Sequence, residues 1–172
     1  MGFDVYGRNP VLESPKPERP DNWDEMSDEE CADWTRSYGR WRERNPGEYF
    51  RASVWSWRPL WEIMEKCCGH LLDEKMLERL CYNDGWGPEE QDTCTQMADC
   101  IEGFLNDSEW MGKSEYSIAS NCRVKKNGEL VHFSELDDEK LWQETRSAYG
   151  IEISHIIEFC RFLRCCGGFQ AW

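Results

Sequence analysis

The chain predicts a helix-rich α+β fold, a single domain with a small, mainly antiparallel sheet, and three observations carry that expectation. Apolar residues recur at helical spacing in several long stretches. Short runs near residues 3–7 and 48–52 alternate apolar and polar in the manner of strands. Lys125-Lys126-Asn127-Gly128 then joins two further short runs through an Asn-Gly turn, a strong hairpin signal. A length of 172 residues suits one well-buried domain and is short for two. No internal repeat is visible.

The elements follow in order. Phe3 and Val5 alternate with Asp4 and Tyr6 before Gly7, a short strand. Pro10, Pro15, Pro17 and Pro20 then stand among charges, which marks an extended surface connection. Ser27-Asp28-Glu29-Glu30 is a capping-box pattern, the hydroxyl capping an early N–H while Glu30 reaches back. The helix behind it aligns Cys31, Trp34, Tyr38 and Trp41 in one apolar stripe, sets Arg36, Arg40 and Arg44 on another face, and stops at Asn45-Pro46-Gly47. Residues 47–61 pack five large aromatics and two arginines into a strand at 48–52, a tight passage, and a helix from about Pro59 to Cys68. Proline at 59 suits a first helical turn.

Asp73 caps a short helix through Leu77, Leu80 and Cys81, which Asn83-Asp84-Gly85 breaks. Gly87-Pro88-Glu89-Glu90 is expected to open the longest helix, with a stripe of Cys94, Met97, Ala98, Ile101, Phe104 and Leu105 and a close at Asn106-Asp107-Ser108. The hairpin spans Asn121–Val124 and Glu129–Phe133. A helix is expected from Asp137 to Ala148, around Leu141 and Trp142, then a brief strand with Ile151 and Ile153. The last helix turns Ile156, Ile157, Cys160 and Leu163 to the core. Gly167-Gly168 caps it, and Phe169–Trp172 forms an edge strand. The expected sheet combines residues 2–7, 48–52 and the hairpin at 122–133.

Composition removes several function classes. Net charge is −14, from 34 acidic against 20 basic residues, and the surplus is dispersed along the chain. Such a chain repels phosphate backbones and anionic membrane surfaces, so direct electrostatic binding of nucleic acid is not expected. Aromatic residues make up 13% of the chain, enough to build a core despite a mean hydropathy of −0.80. No apolar run approaches membrane-spanning length, and the first residues lack the apolar region of a signal peptide. The ten cysteines are therefore expected to be reduced thiols of a cytoplasmic protein.

Several anchors fall together: Met1-Gly2-x-Asp4-x-Tyr6-Gly7, Tyr49-Phe50-Arg51, Trp57-Arg58-Pro59-Leu60-Trp61, Cys81-Tyr82-Asn83-Asp84-Gly85, Phe159-Cys160-Arg161-Phe162 and Gly167-Gly168-Phe169. In this order they cover most of the chain, which resembles a family of small proteins of bacteria and their phages with no established activity. In similar sequences a short turn joins the first strand to the Tyr-Phe-Arg segment. Residues 11–45 intervene here, and the resemblance implies that they are an insertion. The CxxC pair that similar proteins often carry is not present, so no zinc knuckle carries over.

The candidate site is the arginine–tryptophan block. Trp57 and Trp61 share a helix face and wall Arg51 and Arg58, with Tyr82 and Asp84 nearby, an arrangement suited to bidentate recognition of a carboxylate or phosphate. The same residues equally suit an internal stack that locks strand to helix, with Arg58 paired to Asp4 or Asp84. Cys67-Cys68-x-His70 is compact, but adjacent helical positions point about 100° apart and no pair has the spacing of structural zinc. No metal or cofactor is expected. Cys94, Cys160 and Cys31 should be buried, while one of each adjacent pair (Cys67-Cys68, Cys165-Cys166) faces solvent. His70, His132 and His155 carry no local signature, nucleotide and hydrolase motifs are missing, and no catalytic residue is assigned. The leading expectation is a non-enzymatic cytoplasmic interaction protein of a phage or bacterium, with a protein partner. The alternatives are a binder of, or enzyme on, an anionic small molecule, and an acidic mimic of DNA.

Overall fold

A computed structural model describes residues 2–107, 112–119, 122–131 and 139–172, apart from the side chains of residues 139, 140 and 142. It is the α+β domain that the sequence predicts. In chain order come β1 (Gly2–Gly7), α1 (Asp28–Arg44), β2 (Tyr49–Ser53), α2 (Val54–Cys68), α3 (Glu74–Arg79), α4 (Gln91–Leu105), β3 (Glu115–Ser117), β4 (Arg123–Lys125) and β5 (Leu130–Val131). α5 (Glu139–Glu144), β6 (Thr145–Ser147), β7 (Gly150–Glu152), α6 (Ile153–Leu163) and β8 (Phe169–Ala171) complete it, with one 3-10 turn at Trp23–Glu25. Expectations that involve Ser108, Asn121, His132, Phe133, Asp137 and the Trp142 side chain lie outside the described residues.

The main sheet has the order β2-β1-β8, all antiparallel. Phe3 faces Ala52 and Val5 faces Phe50 in register, and with Phe169 and Ala171 these residues form its buried face. Asp4, Arg51, Tyr6 and Tyr49 pair on the opposite, polar face. Helices α2, α4 and α6 pack together behind the buried face, where Trp57 stacks on Phe3 with ring centroids 4.7 Å apart and meets Phe159 edge-on.

The structure corrects the expected sheet. The hairpin β4–β5 forms as predicted, with Gly128 at φ 86°, but it pairs with β6 in a separate sheet, and β3–β7 is a third. The third strand of the main sheet is instead β8. Its outer side is not bare, because the Phe169 and Ala171 N–H groups donate to the Pro88 and Trp86 carbonyls and Gly85 N–H donates to the Ala171 carbonyl. For this reason Gly87–Glu90 stays extended and α4 begins only at Gln91; at 17 residues α1 is the longest described helix.

Helix α2 starts earlier than expected, at Val54. The Ser53 hydroxyl caps it by accepting from Ser56 N–H, so Pro59 sits inside the helix rather than in its first turn. That position forgoes one i→i−4 bond, to the Trp55 carbonyl, and buries the ring. The segment Thr145–Ser147, expected as helix, pairs with β4, where a β-branched residue is at home. Ile153 belongs to α6 rather than to the strand before it. Ile157 is 39% exposed, and Phe159 takes the core position expected of it. The caps at Ser27/Glu30 and Asp73 form as read.

Backbone segments approach one another closely at one end of the main sheet. A Cβ on Gly7 would lie 2.1 Å from the Gly47 carbonyl oxygen, and one on Gly47 would lie 2.1 Å from that of Cys165. Gly167 and Gly168 have φ of 63° and 84°, and after them the chain enters β8. These glycines let three backbone segments meet at one end of the sheet.

Candidate functional site

The structure separates the six residues of the arginine–tryptophan block. Trp57 is fully buried and its Nε1–H donates to the Leu80 carbonyl at 2.7 Å; Trp61, half-buried, donates likewise to Leu77. Both indoles therefore pin α2 to α3. Asp84 pairs with Arg79 at 2.8 Å, and Tyr82 is 54% exposed. Arg58 is exposed on α2 and, among the described residues, pairs with neither Asp4 nor Asp84. Arg51 lines a cleft that none of the other five reaches.

That cleft, of about 460 Å³, runs along the free edge of β2 between α1 and α6. Its floor is aromatic: Phe50 and Phe162 are buried, and the His155 ring stacks on Phe50 at 4.7 Å. The β2 edge is latched by His155, whose Nε2 lies 3.0 Å from the Arg51 carbonyl while its Nδ1 lies 2.9 Å from a Glu158 carboxylate oxygen. Tyr49 donates its hydroxyl to Asp4, and burial followed by that bond pushes the phenol up to about 12.

Three guanidiniums face the space. Arg51, on the polar face of β2, meets Asp4 at 3.6 Å, too long for a hydrogen bond. Arg42 of α1 lies over the Tyr49 ring at 4.5 Å from its centroid, and Arg161 comes from the exposed side of α6. Among the described residues neither Arg42 nor Arg161 forms an ion pair. The carboxylates of the lining are Glu43 and Glu158, the second engaged by His155. In a chain of net charge −14, a lining with more guanidiniums than carboxylates runs against the general trend. Gly39 lies on the α1 wall, and a Cβ placed there would meet nothing within 4 Å.

Sequence reasoning found Arg51 and missed Arg42, Arg161 and Tyr49, and it left His155 without a role. The i, i+3, i+6 recurrence of His155, Glu158 and Arg161 on one side of an amphipathic helix was the available signal. Nothing local in the sequence tells that this stripe meets Arg42.

The ten cysteines form no disulfide. Cys94 and Cys160 are buried, and Cys67 and Cys165 are the half-exposed members of their pairs, as expected; Cys31 is half-buried, because α1 does not reach the core. Cys67 and Cys68, expected to point apart, have sulfurs 3.5 Å from each other at the last turn of α2. Burial pushes the Cys160 thiol up to about 12. Among the described residues no group of three or more candidate ligands is arranged to hold a metal ion, and no helix is long and apolar enough to cross a membrane. No protein-family model, curated protein or solved structure matches this chain.

Proposed function

We propose that the protein binds a small anionic ligand with a planar, apolar body in the cleft between α1, β2 and α6. The observation that carries this reading is the meeting of Arg42, Arg51 and Arg161 over an aromatic floor, with two of the three in no ion pair among the described residues. Guanidiniums on a low-dielectric wall hold oxyanions by charge-assisted, bidentate bonds. The rings of Phe50, Phe162 and His155 offer a face for a flat apolar group. The chemistry is recognition. A thermal-shift series at constant ionic strength tests it, using inorganic phosphate, phenyl phosphate, benzoate and aniline. The reading expects phenyl phosphate to stabilise most and aniline not at all. Equal response to all four would remove it.

A protein partner is supported by a different surface. Trp172 is 50% exposed and its ring covers Gly85, three residues from the exposed Tyr82. Tryptophan and tyrosine are favoured interface anchors. Capture of one stoichiometric host protein by the wild type, lost on Trp172→Ala together with Tyr82→Ala, would support it. No such capture would count against it.

A further inference from the structure

The segment between β1 and β2 is packed mostly against itself. Trp34, Tyr38 and Trp41 stack with centroids 5.0 and 5.8 Å apart, and Trp23 meets Trp34 edge-on at 5.2 Å. The indole N–H groups of Trp34 and Trp41 donate to the Glu18 and Ser14 carbonyls of the same segment. Trp41 is 2% exposed yet lies outside the main core cluster, and the close element packings of the core do not include α1. The described attachments gather at the root: the Arg8, Asn9 and Val11 N–H groups donate to the Gly168, Cys166 and Cys165 carbonyls, and Lys16 pairs with Glu48 beside β2. Near the cleft, Arg42 rests on the Tyr49 ring, a cation–π contact worth about 0.5–1 kcal/mol when exposed.

This self-contained unit nevertheless builds one wall of the cleft, through Gly39, Arg42, Glu43 and Pro46, while the core builds the other through Arg51, His155 and Arg161. We infer that α1 is the closing jaw of the site, an anion held between Arg42 on one side and Arg51 and Arg161 on the other tying the inserted segment to the domain. The inference rests on the function proposed above and adds a linkage to it. A ligand that touches both walls binds the docked form of α1 better than an undocked one, and so shifts the population toward docking. A segment with few core contacts opens at low free energy, which leaves room for such a shift. If the open form does not bind, ligand at ten times its Kd suppresses opening about tenfold.

Hydrogen exchange on the full chain tests this, with phenyl phosphate as the probe at ten times a Kd measured by titration, against chloride at equal ionic strength. Amides of residues 28–44 are expected to exchange about tenfold more slowly with the probe, while those of residues 91–105 in α4 change little. Arg42→Gln is expected to bind about tenfold more weakly, through Arg51 and Arg161, and at ten times its own Kd to lose the protection of α1. Binding without slower exchange in 28–44, equal slowing in α4, or full protection in Arg42→Gln would each overturn the jaw and leave the proposed ligand standing. Failure of phenyl phosphate to bind at millimolar concentration would remove both.

Discussion

The Nε2 atom of His155 lies 3.0 Å from the main-chain carbonyl of Arg51, a contact that spans 104 positions of sequence. It closes the free edge of β2 with the first turn of α6, and edges left bare invite pairing with other chains. The same contact sets the wall of the cleft that belongs to the core, since Arg51 and Arg161 extend from the elements that it joins.

Gly39 stands inside α1 with open space where a Cβ would go. Glycine inside a helix costs about 1 kcal/mol relative to alanine. Gly39→Ala is therefore expected to raise the melting temperature by about 2–4 °C, and Gly39→Leu is expected to fill the cleft and weaken phenyl phosphate binding. A lower melting temperature for the alanine variant would show that the position is crowded.

Gly168 has φ of 84°, and a Cβ there would lie 2.2 Å from the Glu89 carbonyl oxygen. Left-handed backbone costs a side-chain-bearing residue about 1–2 kcal/mol, and overpacking about 1–3 more. Gly168→Ala should lose about 3 kcal/mol or more in urea unfolding followed by circular dichroism. A loss under 1 kcal/mol would contradict the close approach.

Trp57 and Arg58 are neighbours in sequence with opposite expectations. Trp57→Phe removes the indole bond to the Leu80 carbonyl and leaves space around it, which should cost about 2–4 kcal/mol. Arg58→Ala, on the exposed side of the same helix, should stay within about 0.5 kcal/mol of wild type. Similar losses in the two variants would put Arg58 in the fold rather than on its surface.

Tyr49 gives a pH dependence. Its phenol is raised from 10.0 to about 12 by burial and by the bond to Asp4. A group whose folded pKa exceeds its unfolded value adds stability that is whole below the unfolded pKa and is lost as pH climbs through the folded one. Unfolding free energy should thus fall more steeply between pH 10 and 12 in wild type than in Tyr49→Phe. Parallel curves would show that the phenol is not held by the fold.

What was legible in the sequence was local. The Ser27/Glu30 box, the Asp73 cap and the Asn127-Gly128 turn each act within a few residues, and each forms. The apolar stripe of α4 needed only helical periodicity, and Cys94, Met97, Ala98 and Ile101 are buried. Illegible were the arrangements that need distant backbone. Gly87–Glu90, expected to open a helix, stays extended beside β8 because that strand has donors to satisfy at the Trp86 and Pro88 carbonyls. Pro59 pointed to a helix start because proline favours the first turn, but the Ser53 hydroxyl set the cap five residues earlier than the expected first turn allowed. The cleft draws its three arginines from α1, β2 and α6, and only the packing of those elements brings them together.

The most direct measurement is a calorimetric titration of phenyl phosphate into wild type and into Arg42→Gln, Arg51→Gln, Arg161→Gln and Arg58→Gln. A charge-assisted hydrogen bond is worth about 1.5–3 kcal/mol, so each of the first three changes is expected to weaken binding by about tenfold or more. Arg58→Gln, outside the cleft, is expected to bind as wild type does. Unchanged affinity in the three cleft variants, or a loss in Arg58→Gln as large as theirs, would contradict an anion site between α1, β2 and α6.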